Sequence, residues 1–191
     1  MGIASRLGLR DWLRAPGSLS RRLAALGQRF EVQLLRQAVT PLRAPERRAL
    51  GLPRRGCTVV REVLLRVDGE PLVWARSALH ASALAGPWKA LKGLGTRPLA
   101  HLLYADPRVQ RSELQPRRLA RHGHTRRHMQ RQWQAATGAA AAAQMLWSRN
   151  SVFHRKGAEL RVMELFAPQL ARHAPGRPGP RGVKQKPRGR R

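Results

Sequence analysis

Asp68-Gly69 splits the run TVVREVLLRVDGEPLVWARSAL (58–79) into two arms of β-branched and apolar residues, and no other feature constrains the fold as strongly. An Asp-Gly pair between such arms predicts a tight β-hairpin, because the two central turn positions need residues that tolerate positive φ. Strands are therefore expected over 58–67 and 70–79. A second hairpin is expected where RNSVFHR and ELRVMELFA flank Lys156-Gly157-Ala158. Upstream, RFEVQLLR (29–36) sets Phe30, Val32 and Leu34 on one side and Glu31 and Gln33 on the other, the alternation of a strand.

Helical patterns separate these strands. A turn at Pro16-Gly17 and an N-cap at Ser18 or Ser20 precede a short helix with Leu19, Leu23 and Leu26 on its apolar face. ASALAGPWKALKGLG, from Ala81 to Gly95, has helical spacing, and a further turn is expected around Leu99, Leu102 and Leu103. The stretch 111–117 carries a weak strand signal. Residues 125–146 read as a helix, with five consecutive alanines (139–143) favouring that state by propensity. Two hairpins with inserted helices, and no βα alternation opening on a glycine-rich turn, predict an α+β domain on one antiparallel sheet.

Charge is the other constraint. The 191 residues contain 38 Lys plus Arg against 10 Asp plus Glu, a formal net charge of +28. Residues 173–191 hold seven of these cations and no acid among Gly and Pro, so one domain over 1–170 and a disordered basic tail over 171–191 are expected. A second block, Arg108–Arg131, holds eight arginines against Glu113 alone. Such blocks suit weak contacts with nucleic acid or an anionic membrane. The lone Cys57 excludes an intrachain disulfide and fits a reducing compartment. The N-terminus lacks a signal-peptide pattern and the alanine-rich stretch is too short to span a bilayer, so a cytoplasmic protein is expected; it is also expected to be a monomer. His122, His124 and His128 have suggestive spacing, but their arginine neighbours oppose a metal cation, and no metal is assigned.

Two charges interrupt apolar strand faces. Arg76 shares a face with Leu72, Trp74 and Ala78, and Glu164 shares one with Leu160, Val162 and Phe166. A buried guanidinium needs an anion, and a buried carboxylate needs a partner or a proton. The two residues either form a structural ion pair or stand at opposite ends of a small anionic ligand.

DWLRAPGSLSRRLAALGQRFEVQLLRQ, REVLLRVDGEPLVWARSAL, GLGTRPLAHLLY and LWSRNSVFHRKGAELRVMELFAP, in this order, resemble the chorismate pyruvate-lyase family over most of residues 11–168. The resemblance implies a six-stranded antiparallel sheet with helical flaps over a buried ligand site. It also implies release of pyruvate from chorismate to give 4-hydroxybenzoate for ubiquinone biosynthesis, with no cofactor. On this reading Arg76 holds the ring carboxylate, Leu99 assists through its backbone N–H, Glu164 meets the ring hydroxyl and Leu34 lines the pocket. Arg36 or Arg149 is assigned to the enolpyruvyl carboxylate. Ala100 stands where the family pattern has glycine. Two other readings are kept: the effector-sensing domain of a transcription regulator with a similar hairpin, and a basic nucleic-acid-binding protein. The first requires a DNA-binding domain upstream, and about 28 residues before the first strand are too few for one. The second places affinity in 108–131 and 173–191 and makes it steeply salt-dependent.

Overall fold

The computed structural model describes residues 3–41, 44, 47 and 56–176. The connection carrying Pro45 and Pro53 and the tail from 177 onward lie outside the described residues. Helices α1 (Ile3–Arg14) and α2 (Leu19–Ala24) lead into β1 (Phe30–Pro41), and the expected hairpin follows as β2 (Cys57–Val67) and β3 (Glu70–His80). Then come α3 (Leu99–Ala105), short strands β4 (Gln110–Arg111) and β5 (Gln115–Arg118), α4 (His124–Thr137), and the second hairpin, β6 (Trp147–Arg155) with β7 (Ala158–Phe166). The sheet is antiparallel with order β1-β2-β3-β7-β6-β4, and β5 also pairs β6. Among the described residues it has seven strands where six were expected, the weakly signalled segment contributing both β4 and β5.

Both hairpin turns place a residue other than glycine at positive φ, Asp68 at 49° and Lys156 at 46°, followed by Gly69 and Gly157. Asp68 also accepts hydrogen bonds from the backbone N–H groups of Arg29 (2.7 Å) and Gln28 (3.2 Å), tying the start of β1 to the turn. Asp68→Ala is expected to lose both bonds and lower stability by about 1–2 kcal/mol, measured as a shift in the urea midpoint.

Two expectations change. The helix over 125–146 stops at Thr137, where Gly138 adopts φ 71° and its N–H donates to the Gln134 carbonyl at 2.9 Å. The alanine run lies beyond this cap in irregular chain, and Ala141 and Met145 turn back into the core beside Trp133. Burial outweighs alanine's propensity, an advantage of only a few tenths of a kcal/mol per residue over most others. The helical stretch 81–95 forms two 3₁₀ turns, Ala81–Leu84 and Lys89–Leu91. Pro87 between them has no N–H to continue a helix, while Trp88 is fully buried. After β7 the chain continues through a 3₁₀ turn, Pro168–Arg172, and runs against the first two helices. Trp12 Nε1 donates to the His173 carbonyl at 2.7 Å, and the Arg22 guanidinium donates to the carbonyl of Gly176.

The sheet divides the core. Its back face, covered by α4 and the alanine segment, buries Leu64, Trp74, Met129, Trp133, Met163 and Leu165. Its front face carries two apolar clusters. One gathers Trp12, Leu13, Leu19 and Leu23 over Val63, Leu65 and Phe166. The other gathers Trp88, Leu91 and Leu103 over Val59, Leu79 and Leu160. The polar residues of the front face lie between them.

Candidate active site

Strand register fixes which charges can meet. Across the front face Arg61 is opposite Ser77, Ser77 opposite Val162, and Val162 opposite Ser151. One two-residue step along, Val63, Ala75, Glu164 and Arg149 form the adjacent row. Above these rows lies a cavity roofed by Gly17–Ser20 and by Leu99, Ala100, Leu103 and Tyr104, with Arg111 at its side. Arg61, Arg111, Arg149 and Glu164 all line it. Apolar walls come from Leu19, Val32, Val63, Leu65, Phe153 and Val162.

Each guanidinium is held from behind. Arg61 Nη2 donates to the carbonyls of Gly95 (2.8 Å) and Arg97 (3.0 Å). Arg111 donates to Ser151 Oγ (3.1 Å) and to the Gly17 carbonyl (3.0 Å), and lies over the Phe153 ring. Arg149 pairs with Glu164 and donates to the carbonyls of Trp12 (3.2 Å) and Ala15 (2.9 Å). These bonds anchor the roof of the cavity to its floor. Arg61 Nε and Arg149 Nη2 remain buried without an acceptor among the described residues. Burial lowers the Arg61 pKa to about 10, which leaves the group charged at neutral pH. Burial, and then the neighbouring Arg149 charge, lower that of Arg111 as well. Burial raises that of Tyr104, keeping the phenol neutral.

Three guanidinium groups facing one carboxylate leave the cavity with two positive charges in excess. A desolvated cavity of this kind favours an anion, and two excess charges match a small dianion. Arg61 and Glu164 are separated by two strand spacings, each about 4.8 Å, and one two-residue step of about 6.8 Å. They occupy opposite ends of the site, with apolar walls between.

Sequence reasoning assigned Glu164, Leu99 and Arg149 to this place, and all three line the cavity. It does not contain Arg76, Leu34 or Arg36. Arg76 is opposite Glu62 in the register and points to the back face, where it forms a buried ion pair with that residue. Glu62 also binds His128 Nε2 (2.9 Å) and Gln132, and Gln132 Oε1 accepts from Trp74 Nε1 (2.8 Å). Arg76 and Glu164 therefore lie on opposite faces, and each has found a different partner. Leu34 is partly exposed, and Val32 on the same strand with Leu19 of α2 supplies the apolar contact expected of it. A β-bulge between Leu34 and Arg36 puts Arg36 opposite Glu62, on the back face. Ala100 takes no positive φ, so its side chain causes no strain where glycine was expected. His128 serves Glu62, and no group of three His, Cys, Asp or Glu residues suited to a metal ion occurs among the described residues.

Arg61 and Arg111 were missed. Arg61 interrupts the apolar row Val59, Val63, Leu65 as Arg76 interrupts its own, so the same signal was present one strand earlier. Arg111 sat in a block read as solvated, although it is almost fully buried.

Residues 3–174 match the model of the family described as chorismate lyase. The chain belongs to that family. A probable chorismate pyruvate-lyase from Albidiferax ferrireducens is 49% identical over 164 residues, covering 86% of this chain and 82% of the relative. Another from Azoarcus sp. is 42% identical, covering 85% of both. Chorismate lyase architecture also has a likeness in fold to the structure of PhnF from Mycobacterium smegmatis. That match has a TM-score of 0.52 at 16% identity over 79% of this chain and 64% of the other. Among the described residues no helix is long and apolar enough to cross a membrane.

Proposed function

We propose that this protein eliminates pyruvate from chorismate to form 4-hydroxybenzoate, the aromatic precursor of ubiquinone. The observation that carries the reading is the excess of two positive charges in a cavity with apolar walls, which suits a ring bearing two carboxylates. Arg61 receives the ring carboxylate, and Leu99, whose amide opens α3, supports it from the roof. Glu164 accepts the hydrogen bond of the C4 hydroxyl at the other end. Arg149, held against Glu164, and Arg111 beside it face the enolpyruvyl carboxylate on the neighbouring ring carbon.

The site works by placement of charge. The C3–O bond breaks with its electron pair passing to the enolpyruvyl oxygen, the C4 hydrogen leaves as a proton, and its bonding pair completes the aromatic ring. The released enolpyruvate takes up a proton and becomes pyruvate. Arg111 and Arg149 stabilise the charge that grows on the leaving group, and Glu164 orients C4. Placement in the cytoplasm, as a monomer, completes the proposal.

The test is a cofactor-free assay with chorismate, quantifying 4-hydroxybenzoate and pyruvate together. Equal amounts of both from wild type are expected, with the rate reduced about 10²–10³-fold in Glu164→Gln. Folded wild-type protein that forms neither product would reject the lyase reading. It would favour a ligand-sensing role for the same cavity.

A further inference from the structure

Charged groups account for the two ends of the cavity, but the bond that breaks lies between them. An ether oxygen that gains charge as C3–O opens is stabilised by a hydrogen-bond donor, and a neutral hydroxyl supplies one without a further cation. Glu164, a carboxylate paired with Arg149, only accepts. The hydroxyl residues lining the cavity are Ser18, Ser20, Ser77 and Tyr104. Ser18 Oγ caps α2 by accepting from the Arg21 N–H at 3.3 Å. Ser77 Oγ donates to the Arg61 carbonyl at 3.3 Å, at the end away from Glu164. Ser20 and Tyr104 are left.

Tyr104 is the single tyrosine of the chain and stands in the last turn of α3. Its side chain packs against the front-face cluster of Trp88, Leu91 and Leu103, so an apolar body is anchored while a polar tip reaches the site. The charges that act on the phenol are those of the leaving-group end, with Arg111, Glu164 and Arg149 foremost. The Arg111 guanidinium also donates a hydrogen bond to it. A phenol oxygen that accepts from a guanidinium still has its own hydrogen to give. On the lyase reading C4 carries the hydroxyl held by Glu164, and C3 beside it carries the ether. The departing oxygen is thus one ring carbon away from the group at Glu164, where Tyr104 and Arg111 meet.

We propose that Tyr104 donates a hydrogen bond to the enolpyruvyl ether oxygen, and that this bond strengthens as C3–O breaks. The role rests on the lyase reading and adds a residue to it. The phenol keeps its proton throughout: the bonding pair passes to the oxygen, and the Tyr104 O–H stabilises the charge that builds there beside Arg111. The proton that converts enolpyruvate into pyruvate enters from solvent after release. 4-Hydroxybenzoate has no ether, so this bond is absent from the product complex.

The test compares full-length wild type, Tyr104→Phe and Ser20→Ala in single-turnover and steady-state assays with chorismate, and in titrations with 4-hydroxybenzoate. Tyr104→Phe keeps the ring and removes the hydroxyl, and an unchanged urea midpoint reports that it folds. Its single-turnover rate and kcat/KM are expected to fall together by about 10²-fold, while Kd for 4-hydroxybenzoate stays within about twofold of wild type. Single turnover removes product release from the rate observed. A higher KM with an unchanged rate at saturating chorismate would overturn the proposal, because a residue that only holds Arg111 in place alters binding uniformly. Weakened 4-hydroxybenzoate binding by folded Tyr104→Phe would also overturn it and place the phenol on the ring hydroxyl. A loss of rate in Ser20→Ala beside an active Tyr104→Phe would give the donor role to the serine. Wild type that forms neither product would reject the lyase reading itself, whereas equally active wild type and Tyr104→Phe would reject the tyrosine alone.

Discussion

Arg61→Met is expected to abolish most lyase activity, with kcat/KM for 4-hydroxybenzoate formation falling roughly 30- to 5,000-fold. That range follows from the about 2–5 kcal/mol lost when one partner of a buried, hydrogen-bonded charge pair is removed. On the proposed assignment the ring carboxylate would enter an apolar end of the cavity with no countercharge. Arg61 is fixed by two backbone carbonyls before a ligand arrives, so its position need not be organised during binding. The substitution also frees the Gly95 and Arg97 carbonyls, and a modest loss of stability is expected with it. Arg61→Lys separates the two effects, because it keeps the charge while losing the planar fork that serves carboxylate and carbonyls together. Steady-state kinetics on chorismate and titration with 4-hydroxybenzoate check the prediction. A kcat/KM within threefold of wild type for Arg61→Met would remove Arg61 from the site.

The second large effect is on stability. Arg76→Met leaves the Glu62 carboxylate fully buried with His128 and Gln132 as its remaining side-chain partners. Breaking a buried pair on one side costs about 3–5 kcal/mol. Replacing both, as Arg76→Met with Glu62→Leu, should recover much of that, because the remaining surroundings include Leu64, Trp74 and Met163. Urea denaturation of the two single variants and the double variant measures the coupling. Folded Arg76→Met should still bind 4-hydroxybenzoate, since the residue faces away from the cavity.

Glu62 also makes stability depend on pH. Burial raises its pKa, but the His128 hydrogen bond, the Arg76 charge and the Gln132 hydrogen bond outweigh it and bring the value from 4.5 to about 2. A carboxylate whose pKa is lower in the folded state stabilises the protein above its unfolded value, and that contribution is lost as pH falls towards the folded one. The urea midpoint should therefore lose a contribution on the order of 3 kcal/mol between about pH 4.5 and pH 2. Glu62→Gln should flatten this part of the profile.

Local rules were enough for both hairpins. Asp68-Gly69 and Lys156-Gly157 specify tight turns by backbone sterics, and the apolar arms around them need each other as strands. The ordered segments from DWLRAPG to VMELFAP carried the family, and single interruptions of strand faces marked Arg76 and Glu164 as buried charges. Those signals depend on residues close in the chain.

Which buried charge meets which depended on packing. Alternation says that Arg61 and Glu62 point to opposite sides of β2, but only the order of strands and the placement of helices decide which side holds the cavity. The roof made by the turn into α2 and by α3 made the front face a site, so Arg61 and Arg149 became its cations. Helix α4 sealed the back face, so Arg76 was left with Glu62. The same long-range burial ended α4 at Gly138 against alanine's local preference, and drew Arg111 from a basic run into the wall of the cavity. Period and turn chemistry act over a few residues and were legible in the sequence. The pairing of buried charges is settled by desolvation between distant segments, which takes effect only when the chain has folded.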